Sequence, residues 1–448
     1  MSDVQMPKRA WKPLADEQLR QKIEETVKNY VELLRDPSKL PSPTSGRFYP
    51  LSLGSGFPGL CLLFGELDRL EPEAGWDLVG HQMLLGVQQA IHQYGIPTLD
   101  LWGGNAGLLM GIRALSRGGT RYQSMMESMN RFAAEQLPAF LDERMARMSS
   151  DLRPTDYDTM GGITGVGRYL LAFRDELMLQ PVLESVLRYL IALSGDKELE
   201  GEQVPMWHIL PHNHFLEIER EQYKQGSFNL GVSHGMAAPM GLLALAKLHG
   251  VETAGQDAAI RRYAEWLIEQ KREDEYGIYW PGRLAKEVLA NGRGEGNVMP
   301  PNESWCYGGP SIARQLWFAG TALGETAWRE LAVEAALASY QRPFEKTGLH
   351  APNFCHGIAG TAYMAQVMYA ETGRELFAQA RDQLVKRVLE RFENEMEYGV
   401  YELTREPDGT QRKLSRPGLL DGLAGTLLVL TSMLAEEAPE WDAVFLLS

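Results

Sequence analysis

Cysteine is scarce in this chain. Only Cys61, Cys306 and Cys355 occur, an odd number at wide spacing. That excludes a disulfide framework and points to a reducing compartment. Positive charge is also in deficit: 44 Lys and Arg stand against 59 Asp and Glu, a formal net charge of −15. A phosphate backbone is gripped by clustered Lys and Arg, so nucleic acid is excluded as the main partner. The acid excess suits a protein that receives basic segments. Long hydrophobic runs are missing too. The N-terminus "MSDVQMPKRAWKPLADEQ" has no apolar signal core. The stretch "GTLLVLTSML" near the C-terminus falls far short of the ~20 residues of a spanning helix. These absences point to a cytoplasmic protein.

What is present is ordinary globular material, 448 residues with 44% hydrophobic and 23% charged. Length alone suggests about two to four domains, but a repeat argues for one domain over 1–448. Seven segments share the form G-x-x-(G/A/S) and open an apolar run. They are "GFPGLCLLFGEL" from Gly56, "GNAGLLMGIRAL" from Gly104, "GITGVGRYLLAF" from Gly162, "GMAAPMGLLALA" from Gly235, "GGPSIARQLWFA" from Gly308, "GIAGTAYMAQVM" from Gly357 and "GLAGTLLVLTSM" from Gly422. Their first glycines lie 48, 58, 73, 73, 49 and 65 residues apart. Two helices with turns need roughly 40–50 residues, so each repeat holds two helices and a connector.

The helix after the glycines is apolar on nearly all faces and therefore buried. The other, as in "ELFAQARDQLVKRVLERFENE" (375–395), is amphipathic and charged. Glycine is expected to let the chain turn sharply into the inner helix, and the second small residue to let helices approach closely. The reading is all-α: a closed α/α toroid of seven inner and seven outer helices. Closure follows because the first and last units are as apolar as the middle ones, whereas an open solenoid carries polar caps. Short β-like connectors are expected at 274–284, 396–406 and 45–54, and a small β-containing excursion at 195–230.

The residues just before the first glycines are Ser55, Gly103, Gly161, His234, Tyr307, His356 and Asp421. One residue earlier, units five and six carry Cys306 and Cys355. Reactive types thus gather at one equivalent position, at one end of the inner ring, and Asp158 in "YDTMGG" approaches the same rim. Cys306, Cys355 and His356 make a three-ligand set with an open fourth position, the pattern of catalytic zinc. Thiolate-rich zinc suits activation of a substrate thiol better than of water. Cys61 reads as a small core residue. The histidines of "WHILPHNH", His208, His212 and His214, read as loop or surface residues, and Asp421 as a helix N-cap. The H-x-E…P-C-x-x-C and H-E-x-x-H patterns of zinc deaminases and proteases are absent, and the rim offers few of the paired carboxylates of a glycosidase.

The segments "NLGVSHGMAAP" (229–239), "SWCYGGPS" (304–311), "NFCHGIAG" (353–360), "YDTMGGITG" (157–165) and "WGGNAGLL" (102–109) resemble the signature segments of lanthionine cyclases, the LanC family. The resemblance spans essentially the whole chain, at the length of the stand-alone class I lantibiotic cyclases. It implies an α/α toroid with central Zn²⁺ that closes thioether rings. A precursor-peptide cysteine adds to dehydroalanine or dehydrobutyrine, giving lanthionine or methyllanthionine. It implies Cys306, Cys355 and His356 as ligands, His234 for proton transfer, Asp158 to orient that histidine, and Tyr307 as a donor to the enolate. The implied partners are a dehydrated precursor with its leader, and a lantibiotic dehydratase and exporter that would hold the protein at the membrane periphery. A LanC-like enzyme joining glutathione to dehydroamino acids in proteins would use the same residues. One departure stands out: some cyclases carry arginine four residues before the first zinc cysteine, where this chain has Asn302. Arg283 or Arg293 would then have to reach in.

Overall fold

The computed structural model describes residues 9–290, 302–405 and 410–448. Fourteen helices of ten or more residues lie among them. In chain order they are α1 (Glu17–Val31), α2 (Phe57–Leu70), α3 (Trp76–Tyr94), α4 (Asn105–Ala114), α5 (Gln123–Arg147), α6 (Ile163–Ala172) and α7 (Gln180–Leu193). They continue with α8 (Ala237–Leu248), α9 (Gln256–Glu269), α10 (Gly309–Leu323), α11 (Thr326–Gln341), α12 (Ile358–Thr372), α13 (Glu375–Leu389) and α14 (Leu423–Ser432). The even-numbered helices are the seven apolar runs opened by glycine motifs, and the odd-numbered ones are their amphipathic partners. All ten residues of α14 are buried. By contrast α13 buries only Phe377, Ala378, Arg381, Val385 and Val388.

The contacts divide the chain into two units. One, mainly Arg131–Gly348, contains α6 to α11; there α6 packs on α8 and α8 on α10. The other, Lys8–Asn130 with Leu349–Leu447, contains α1 to α4 and α12 to α14; there α12 packs on α14, α14 on α2, and α2 on α4. Inner helices are therefore neighbours of inner helices within each unit, and outer helices pack beside them, as in α2 with α3 and α12 with α13. The outer partner of α14 comes from the other end of the chain: α1 packs on α14 and α13. Leu14 N donates to Met433 O at 2.9 Å, and the Trp11 indole to Ser432 O at 3.1 Å. No glycine motif marks α1, which hid its place in the repeat.

The glycines work differently from the expectation. Gly357 and Gly422 have φ of −116° and −135°, an extended backbone open to any residue. What excludes a side chain is close approach to a carbonyl six residues upstream. A Cβ at Gly360 would lie 2.1 Å from Phe354 O, and one at Gly425 1.9 Å from Leu419 O. The second glycine thus seats the helix on its own preceding loop rather than against a second helix. Gly360→Ala is expected to destabilise the protein by about 2–3 kcal/mol through forced backbone displacement, seen as a lower urea midpoint.

Short antiparallel strand pairs fill the connectors. β1 (Asp196–Leu199) pairs with β2 (Glu202–Pro205), and β3 (Ser227–Asn229) with β6 (Arg283–Ala285). β4 (Arg272–Asp274) pairs with β5 (Gly277–Tyr279), and β7 (Glu402–Arg405) with β8 (Gln411–Leu414). The 45–54 stretch is built of turns. Among the described residues no helix is long and apolar enough to cross a membrane.

Candidate active site

In the first unit, the turn before α10 carries Cys306 and Tyr307. Ser304 N donates to Tyr307 O at 3.0 Å and closes the turn. Gly308 completes it at φ +106°, where a Cβ would also strike Asn302 O at 1.7 Å, so both conformation and space demand glycine. Cys306 is 7% exposed, with Ser304 Oγ 3.3 Å from its Sγ. Its carbonyl accepts from Val232 N at 3.1 Å and from Ser233 Oγ at 3.3 Å. The Cys306 turn is thereby tied to the turn that carries His234.

The His234 turn is tied in the same way to the Asp158 turn. Thr159 N donates to Ser233 O at 3.1 Å, and Thr159 Oγ1 to Val232 O at 2.6 Å. Asp158 is fully buried. Its Oδ2 accepts from His234 Nδ1 at 2.6 Å, and its Oδ1 from Gly161 N at 2.8 Å. That second bond fixes the carboxylate, and the first fixes the imidazole tautomer. His234 Nε2 is left for chemistry. Phe215 packs on the His234 ring at 4.9 Å between centroids.

Tyr307 Oη accepts from Asn229 Nδ2 at 3.0 Å. Burial pushes the phenol pKa up, and the nearby Arg283 charge works in the opposite direction. Arg283 stands opposite Asn229 in the β3–β6 pair. Its guanidinium is ion-paired to Glu219 and lies 5.5 Å over the Tyr223 ring. Asn302 Oδ1 is buried and makes no hydrogen bond among the described residues. Arg293 lies outside the described residues.

In the second unit, the turn before α12 carries Cys355 and His356. Cys355 is half-buried, and its N donates to Leu420 O at 3.0 Å. The His356 side chain is 34% exposed. Two carboxylates absent from the sequence-based site flank it: Glu402 Oε1 at 3.6 Å from Nε2, and Asp421 Oδ1 at 3.8 Å from Nδ1. Burial pushes both carboxyl pKa values up, and in Glu402 the like charge of Asp421 adds to it. Asp421 could have been found from its place in the repeat. Glu402 carries no motif.

The "WHILPHNH" histidines take structural roles. His208 and His214 lie in loop segments, as one alternative of that reading had it, but are buried rather than on the surface: His208 Nε2 donates to Gln225 O at 2.9 Å, and His214 Nε2 meets Ser227 Oγ at 2.8 Å. Burial depresses the His208 pKa to about 4. His212 is exposed and pairs with Asp151 at 2.9 Å.

Paired inner and outer helices, each inner one opened by a glycine turn, define a protein of the α/α-toroid class, with cysteine, histidine and tyrosine on three of those turns. Residues 47–446 match the family described as lanthionine synthetase C-like protein, and the chain belongs to that family. It is similar to the nisin biosynthesis protein NisC of Lactococcus lactis subsp. lactis, 24% identical over 392 residues, covering 86% of this chain and 85% of that one. The solved structure of nisin cyclase matches 96% of this chain and 98% of its own, with a TM-score of 0.78 at 22% identity. The toroid expected from the repeat is the fold that this match supports.

Proposed function

We propose that this protein is a zinc-dependent lanthionine cyclase. It adds cysteine thiols of a dehydrated lantibiotic precursor to dehydroalanine or dehydrobutyrine. The family match across 47–446, with the signature residues on the helix-opening turns, carries the reading. The likeness to a nisin biosynthesis protein supports a lantibiotic precursor as the substrate.

Two thiols and an imidazole on the helix-opening turns, Cys306, Cys355 and His356, are the donor types that suit one zinc ion. Among the described residues no disulfide consumes either thiol. Two thiolates and a neutral imidazole would bring a bound Zn²⁺ close to neutrality. Held by these residues, the ion would lower the pKa of an entering peptide thiol while keeping its sulfur electron-rich.

The chain's own residues handle the rest. The thiol proton passes to His234 Nε2, a C–S bond forms at Cβ, and the π electrons move to an enolate. His234, fixed by Asp158, then returns that proton from Nε2 to Cα. Tyr307 donates its O–H to the enolate oxygen. The hydrogen bond that Tyr307 accepts from Asn229 polarises that O–H. Arg283 supplies positive charge beside Tyr307, where Asn302 carries none. The cyclase acts in the cytoplasm, on a precursor bearing its leader, alongside a dehydratase and an exporter.

The test is a dehydrated, thiol-bearing precursor incubated with the protein. Free thiols should disappear with no change in mass, and a thiol-alkylating reagent should then add nothing. Persistent alkylation, or a product heavier by one added glutathione, would count against peptide cyclisation.

A further inference from the structure

The reaction above leaves two carboxylates of the second unit unused. Asp421 occupies the same turn position as His234, Tyr307 and His356. An aspartate there is expected to cap the following helix. Yet the cap residue of α14 is Gly422, and no side chain caps that end. Asp421 Oδ1 is instead buried, makes no hydrogen bond among the described residues, and lies 3.8 Å from His356 Nδ1. Glu402 faces the other ring nitrogen at 3.6 Å but is held by Arg416, whose Nε is 3.3 Å from Glu402 Oε2. The β7–β8 hairpin brings Glu402 there.

An imidazole that gives one nitrogen's lone pair to a metal carries a proton on the other. That N–H needs an acceptor to fix the ring and raise its basicity. From this geometry we infer that Asp421 is the positioning residue of His356: it accepts the Nδ1 proton and leaves Nε2 to ligate. Arg416 keeps Glu402, which faces Nε2, from taking the open metal position. The inference rests on the zinc reading above and adds to it the nitrogen used and the group that selects it.

The experiment compares wild type, Asp421→Asn, Asp421→Glu, Glu402→Gln and Cys355→Ala. Zinc retention is read by chelator competition, and the visible spectrum is recorded on the cobalt-substituted proteins. Asp421→Asn should hold zinc about 10–100-fold more weakly and shift the cobalt bands, with the metal-free melting temperature unchanged. Asp421→Glu should recover part of the affinity, and Glu402→Gln should change it less than Asp421→Asn does. Wild-type affinity and spectrum in Asp421→Asn overturn the inference, as does a larger loss in Glu402→Gln. If the wild type binds no zinc, or Cys355→Ala keeps it, the zinc reading itself has failed, a separate outcome.

Discussion

Cys355→Ala is expected to remove zinc and ring closure together. Three protein ligands are the fewest that hold catalytic zinc firmly, and the substitution leaves one thiolate and one imidazole. Zinc content should fall from about one equivalent to near none. The substrate thiol then returns to the ordinary cysteine pKa of about 8.5, with only a few per cent thiolate at neutral pH. Without Lewis-acid activation, cyclisation should slow on the order of a thousandfold or more. The fold should survive, because Cys355 is tied in through its backbone N–H to Leu420 O, which alanine keeps. Cys306→Ala should behave alike, since its links to Val232 and Ser233 run through the Cys306 carbonyl. Metal analysis and a thiol-alkylation assay on the same preparation check both effects. Full zinc content in either variant would remove that cysteine from the ligand set.

Much of this was legible in the chain because the repeat is local. A G-x-x-G turn and the apolar helix it opens are set by residues within one short window. All seven inner helices could therefore be located from Gly56, Gly104, Gly162, Gly235, Gly308, Gly357 and Gly422. The reason for those glycines was not legible. It lies in contacts such as that between Gly360 and Phe354 O, and a sequence does not display a carbonyl's direction. The α1–α14 pairing joins residues some 400 positions apart and leaves no periodic mark. Asp421 looked like a cap, because aspartate before a helix usually is one. Only the uncapped α14 start and the distance to His356 separate the two roles. Glu402 was hidden for a related reason. A hairpin carries it to the rim, and an isolated glutamate in a β-like connector announces nothing. The loop placement of His208 and His214 was legible, but their burial was not. Each is buried with a hydrogen-bond partner on the chain around β3, which a linear reading does not pair.

His234→Ala should separate metal binding from proton transfer. The substitution leaves Cys306, Cys355 and His356 in place, so zinc content should stay near that of the wild type. Ring closure should slow by about 10²–10⁴-fold, the usual contribution of a positioned general acid or base. Asp158→Asn probes the same step one residue further back. Asp158 is fully buried, and its two oxygens hold His234 Nδ1 at 2.6 Å and Gly161 N at 2.8 Å. Asparagine keeps the size but removes the negative charge that stabilises the protonated imidazole. If its oxygen keeps the Gly161 bond, its NH₂ faces His234 Nδ1 and favours the opposite tautomer. The ring would then no longer be held with Nε2 ready to move the proton, so ring closure should slow while zinc content stays near that of the wild type. A purely structural role for Asp158 would reduce the amount of folded enzyme and leave the rate per folded molecule unchanged. Normal cyclisation by His234→Ala would transfer the proton delivery to another group, with Tyr307 the first to test by phenylalanine substitution.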